Sequence, residues 1–434
     1  MHDALSAADM LHDELAQRRE TGYEVDEVAA EAARTDPDDS ARLWSLVDRL
    51  ADAPRRDGWS YEEPDALGEI EATLPAAGPV GTLSATDYRN RILGAWLGRC
   101  AGCNLGKPVE NGDHWTRAHI RDYLQRAESY PLTDYFPVLD PMPDGFVFRP
   151  NWPQTTRGNI HGSARDDDID YPILNLHLLE TYGTGFASRD VGQEWLSLLP
   201  FLQTYTAERV AIRNLVHGLQ PPETATYRNP YREWIGAQIR ADIFGWVNPG
   251  DPRRAATLAY ADAALSHVGN GIYGEMWSAA LNAAAFTAGS ARAAIEESVR
   301  HIPPQSRLAE ALRDVLDWHS DGLSWDRAQA EIDKRYGHYH WVHTINNAAA
   351  VAVGLLWADG DFTRAIGLTV QAGMDTDSNG ATVGSVAGVL AGAADLPAHW
   401  VDPLADSVQS AVFGFDSSRI SDLADRTVRL RDRL

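Results

Sequence analysis

Residues 94–106 read GAWLGRCAGCNLG, with glycine at 94, 98, 102 and 106. Far along the chain, residues 380–392 read GATVGSVAGVLAG, with glycine at 380, 384, 388 and 392. A spacing of four puts each set on one face of an α-helix. Each glycine costs about 1 kcal/mol against alanine inside a helix, so eight of them need a compensating gain. A flat glycine stripe supplies one, because it lets a second helix approach closely; the sterics are best known from membrane helices. The two stretches predict a tightly packed helix pair in an all-α core.

The surrounding sequence agrees. From Asp87 onward the apolar residues recur with a period near 3.6. They predict helices at 87–106, 168–182, 190–204, 206–217, 254–267, 275–288, 290–301, 306–318, 325–335, 344–358, 362–373, 378–393 and 398–412. Strand-like alternation is scarce. The segment 107–165, rich in Pro, Trp, Asp and Gly, reads as one long irregular connection; a loop of that length is either functional or conceals a regular element. Residues 1–80 read as a small helical extension, with one amphipathic helix carrying Leu43, Leu46, Val47 and Leu50, and residues 81–434 as the main domain.

With 434 residues, 44% of them hydrophobic, the chain can bury a large core. A formal charge of −24 argues against a nucleic-acid partner and against an anionic membrane surface. No run of about 18 apolar residues is present to span a bilayer. The N-terminal stretch carries acids where a signal peptide needs an apolar segment. The two cysteines, Cys100 and Cys103 in CAGC, cannot build a disulfide framework, so a cytoplasmic location is expected.

Each glycine helix has an acidic cluster in its neighbourhood. Residues 373–384 read GMDTDSNGATVG, with Asp375, Asp377 and Ser378 at the start of the second glycine helix. Residues 165–172 read RDDDIDYP, with Asp166, Asp167, Asp168 and Asp170 opening another apolar helix. Asp and Ser are ordinary N-caps, and negative charge is favoured at a helix start. A cap needs one acceptor, however, and neither cluster stops at one. Adjacent carboxylates repel unless a cation joins them, and an all-oxygen set suits a hard ion, Mg²⁺ or Mn²⁺.

Other segments carry less chemistry. CAGC lies inside the glycine ladder and reads as buried small residues. YGHYHWVH (336–343) offers aromatic and imidazole rings, among them Tyr339 and His343, as a stacking wall for a ring-bearing ligand. GNGIYGE (269–275) reads as a glycine-rich turn before a helix, with Gly271 a candidate for close substrate approach. It lacks the lysine and strand context of a phosphate-binding loop.

Taken together, GAWLGRCAGCNLGKPVE (94–110), DDDIDY (166–171) and GMDTDSNGATVGSVAGVLAGAADLPAHW (373–400) resemble three motifs of the ADP-ribosylglycohydrolase family. The resemblance covers roughly residues 87–412. It implies a compact all-α orthogonal helical bundle and two adjacent Mg²⁺ or Mn²⁺ ions in a cleft. By position, the implied metal ligands are Asp166, Asp167, Asp168, Asp375, Asp377 and Ser378, and the family's loop glutamate falls on Glu110. This sequence departs from the pattern at three places. Asp166 and Ser378 replace threonines, and Cys103 replaces an aspartate.

The resemblance also implies a chemistry: metal-assisted hydrolysis at C1 of a ribosyl group, on a small molecule or attached to protein. Asp167 or Asp168 would orient the water. Glu110 would gate the site or assist proton transfer. Arg165, together with Arg149 and Arg157, could meet a diphosphate. The departures leave a small nucleoside-like ribosyl metabolite as a rival substrate. A silent, crystallin-like binding protein is the other rival, and the intact carboxylates count against it.

Overall fold

The computed structural model describes residues 5–434. The predicted class is the observed one: the described residues form twenty-one α-helices, and their strands are two residue pairs, Val408–Gln409 and Ser417–Ser418, joined antiparallel.

At the centre, the Ala85–Gly106 and Thr376–Ala391 helices run antiparallel with glycine against glycine. A Cβ built on Gly98 would overlap the carbonyl oxygen of Gly384, and one on Gly384 would overlap that of Gly98. The same relation holds between Gly102 and Gly380 and between Gly94 and Gly388. The backbones meet where any larger residue would hold them apart, and this contact offsets the helix-propensity cost of glycine. The ladder ends where Thr376 Oγ1 donates to the Gly106 carbonyl oxygen at 2.8 Å. The start of one helix is thereby pinned to the end of the other.

Around this pair lie the Asp167–Tyr182, Gly269–Ala285 and Thr344–Trp357 helices, the last two buried along almost their whole length. A C-terminal helix, Ile420–Arg431, was not expected from the sequence. It lays Ile420, Leu423, Thr427 and Leu430 inward, and Thr427 Oγ1 accepts from Trp96 Nε1 at 3.1 Å.

Three expectations are corrected. The segment 398–412 is α-helical only at Ala398–Val401, with a single 3-10 turn at Asp402–Leu404 after it. Pro403 lies in that turn, and Ala405 and Asp406 take left-handed φ angles of 47° and 49°, which no helix continues through. The segment 107–165 is not wholly irregular: Thr116 caps an Arg117–Arg126 helix by accepting from His119 N at 3.3 Å. GNGIYGE is not a turn but the first two turns of the Gly269–Ala285 helix.

The described residues of the N-terminal region form four helices rather than one, with a small core of their own around Leu11, Val28, Leu43, Leu46 and Leu50. Buried charges join it to the body. Arg232 donates to Glu14 at 2.6 Å, and Gln17 Nε2 donates to Glu233 at 2.8 Å. Arg307 pairs with Glu63 at 2.9 Å and with Glu233 at 2.7 Å. Asp65 accepts from Gly269 N at 2.7 Å, at the mouth of the Gly269–Ala285 helix.

Candidate active site

The two acidic clusters converge on one cavity of about 230 Å³. Asp166 caps the Asp167–Tyr182 helix, its Oδ1 accepting from Asp168 N at 3.0 Å. Asp168 points inward, where its Oδ2 accepts from Ser378 Oγ at 3.1 Å. Arg99, wholly buried in the first glycine helix, holds this turn by donating from Nε to the Asp168 carbonyl oxygen at 2.7 Å. It also pairs with Asp242 at 2.6 Å.

On the other side, Gly373 and Met374 turn the chain through left-handed φ angles of 80° and 63° and deliver Asp375 to the N-cap of the Thr376–Ala391 helix. Asp375 makes no side-chain capping bond there. Its carboxylate is left for the cavity, which separates this cluster from an ordinary cap. Asp377 Oδ1 accepts from Ser378 N at 3.1 Å. Asn347 Oδ1 braces the turn by accepting from Asn379 Nδ2 at 2.7 Å and from Asp375 N at 3.3 Å.

Glu110, Asp166, Asp167, Asp168, Asp375, Asp377 and Ser378 all line the cavity. Two sets of three side chains each offer ligand atoms within 4.8 Å of one another: Glu110 with Asp375 and Asp377, and Cys103 with Asp166 and Asp168. Burial, reinforced by Asp377, pushes the Glu110, Asp168 and Asp375 carboxyls well above the ordinary range. Burial also raises Asp167, against the pull of Arg165. This is the electrostatic state of carboxylates crowded out of water, which protons or cations relieve. Asp168 Oδ1 has no hydrogen-bond partner, although Arg99 lies 3.6 Å away.

Lys107 belongs to the same cavity and pairs with Asp166. Burial pulls its ammonium down, and Cys103, Asp377, Glu110 and Asp167 more than offset this. Its signal in the sequence was a lone lysine between the last ladder glycine and Glu110, one motif away from an added aspartate. Arg99 and Asn347 were also missed. Each is one polar residue in an otherwise small or apolar helix, a weak signal until the partners are known.

The other predicted residues fall in different places. Arg165 lines the cavity while its Nε donates to Asp170 at 2.8 Å, and Asp170 turns away to Ser410 and Ala411. Arg149 lies at the mouth, 3.3 Å from Glu110. Arg157 pairs with Asp134 and does not line the cavity.

Tyr339 and His343 do not line the cavity either. They stack on each other at 4.3 Å, and His343 Nδ1 accepts from Ile345 N at the start of the Thr344–Trp357 helix. Gly271 is likewise displaced: it is buried against the Arg232 carbonyl and His267. Of the rings in YGHYHWVH, it is His340 and Trp341 that face a cavity next to the acidic one. His340 stacks on Trp234 at 4.2 Å and 7°. With Trp341, Tyr231 and Tyr205 they line an adjoining cavity of about 220 Å³, which shares Arg149, Tyr205 and Thr206 with the acidic one.

Fold and cavity define an all-α protein with a buried carboxylate site at converging helix starts. The chain belongs to the ADP-ribosylglycohydrolase family, whose sequence profile matches residues 84–433. A solved structure described as an ADP-ribosylglycohydrolase-related protein complex is 18% identical, covering 80% of this chain and 99% of its own, with a TM-score of 0.44. No curated protein matches the chain. Membership supports glycohydrolase activity, and the acidic groups can hold metal. No described helix is long and apolar enough to cross a membrane.

Proposed function

We propose that this protein hydrolyses the C1 bond of a ribosyl group, in an ADP-ribosylated or related ribosyl substrate, with the help of Mg²⁺ or Mn²⁺. The observation that carries this reading is the Ser378–Asp168 hydrogen bond, which joins two acidic clusters into one cavity.

The residues fit a hard cation. Glu110, Asp375 and Asp377 offer oxygen alone within 4.8 Å, and the Asp375 carboxylate makes no capping bond. A bound divalent ion would hold the sugar hydroxyls and act as a Lewis acid. The rest falls to the side chains. The carboxylates of Asp167 and Asp168 orient the attacking water and stabilise positive charge growing at C1. Glu110, on the turn after the Lys107–Val109 segment, moves a proton at the leaving atom or gates the cavity. Trp234, His340 and Trp341 offer ring faces to the part of the substrate beyond the sugar, with Arg149 where the two cavities join.

The second reading is a small nucleoside-like ribosyl metabolite, favoured by the modest volume of the acidic cavity. Hydrolysis of ADP-ribosyl-arginine and of simple nucleosides, with Mg²⁺ or Mn²⁺ and with EDTA, separates the two. Metal-dependent release of ribose or ADP-ribose is expected from one set. No hydrolysis of either set, under any metal condition, would overturn the enzyme reading.

A further inference from the structure

The two ends of the acidic cavity are chemically unlike. Glu110, Asp375 and Asp377 form one end, with three carboxylates. Among the described residues, the cation in direct ion-pair contact with this end is Arg149, at the mouth, 3.3 Å from Glu110, while Lys107 acts on Glu110 and Asp377 without pairing with them. The other end is Cys103, Asp166 and Asp168. It already contains fixed positive charge. The Lys107 ammonium pairs with Asp166, and the Arg99 guanidinium lies 3.6 Å from Asp168 Oδ1. One of its three ligand atoms is a sulfur, a poor match for a hard ion.

We propose that Lys107 stands in for one of the two cations, so that the chain binds a single divalent ion, at Glu110, Asp375 and Asp377. The inference rests on the metal reading above and specifies its stoichiometry. Lys107 is 5% exposed and Asp166 3%, so parting the two would leave buried charges without their partner, which is costly. The backbone holds Lys107 in position. It follows Gly106, whose carbonyl is fixed by Thr376, and precedes Pro108 in a short 3-10 segment. A second divalent ion at Asp166 would meet the ammonium at contact range. Asp166 adds a negative charge where threonine is expected from the resemblance, and the fold sets Lys107 against that added charge.

The test uses the full chain and Mn²⁺ alone. Equilibrium dialysis gives the number of ions bound, and EPR at saturation shows whether they are magnetically isolated or coupled. The unaltered protein should bind one isolated Mn²⁺. Lys107→Met, which removes the charge and keeps the length, should bind two and give a coupled spectrum. Asp166→Asn should still bind one ion, within a few-fold of the parent affinity. Two coupled ions in the unaltered protein would overturn the proposal, as would loss of the ion in Asp166→Asn. These outcomes decide the matter even if Lys107→Met does not fold. No bound Mn²⁺ in the unaltered protein would remove the metal reading itself, an outcome distinct from finding two ions.

Discussion

Ser378 Oγ donates to Asp168 Oδ2 at 3.1 Å, across 210 residues of chain. Both side chains are buried, and each sits in the first turn of its own helix. The glycine ladder below sets how closely the Thr376–Ala391 helix approaches the Ala85–Gly106 helix, and Arg99 on the latter holds the Asp168 turn. Packing and chemistry are coupled at this pair.

The ladder should therefore be intolerant of volume. Gly98→Leu and Gly384→Leu each place carbon where the facing carbonyl oxygen lies. Overpacking of this kind costs about 1–3 kcal/mol or more. Chemical denaturation should show that loss in both variants. Stability equal to the parent in both would mean that the helices do not pack through the stripes.

Metal should stabilise the fold. Crowded, buried carboxylates are relieved by a cation that binds only the folded state, and such a ligand adds about 2.7 kcal/mol at a hundred times its Kd. The melting temperature should fall with EDTA and recover with excess Mn²⁺ or Mg²⁺. A melting temperature indifferent to both additions counts against a cation in this cavity.

Asp377 tests the chemistry apart from the fold. Asp377→Asn keeps the size and the oxygen that accepts from Ser378 N. Helix content by circular dichroism should stay at the parent level. Turnover of the best substrate should fall by orders of magnitude, and bound Mn²⁺ should decrease. Turnover within a few-fold of the parent, with metal retained, would show that Asp377 is only a capping residue.

The contact between the N-terminal region and the body should respond to pH in two directions. Burial, then Glu233, pushes the Glu20 carboxyl from 4.5 up to about 8. The folded state keeps a proton that the unfolded chain releases, so this stability is present below about 4.5 and is lost as pH rises to about 8. Burial holds His343, 3.9 Å from Glu20, down to about 3. Its contribution is present above 6.5 and is lost as pH falls toward about 3. Glu20→Gln should flatten the decline in melting temperature on the alkaline side and leave the acid side in place. An unchanged alkaline decline in that variant would exclude Glu20 as its source.

The all-α class, the glycine-to-glycine helix pair and the two acidic helix starts could be read in the sequence. Each is a local pattern: period 3.6, spacing of four, or adjacent carboxylates. Local patterns survive without knowledge of neighbours. Helix ends were read less well. The Asp402-Pro403 break and the helical start at Gly269 depend on backbone angles and caps that composition only hints at.

Placement within the site was a tertiary matter. In YGHYHWVH the rings were visible, but successive residues on an irregular turn face different ways. His340 and Trp341 reached the cavity beside the acidic one, while Tyr339 and His343 turned to each other. The burial of Lys107 against Asp166 and the latch of Glu14, Gln17 and Glu63 onto Arg232, Glu233 and Arg307 join residues far apart in the chain. A charge states its sign in the sequence. Its partner, and whether water reaches it, are decided only when the helices pack, because burial and distance set the strength of an ion pair.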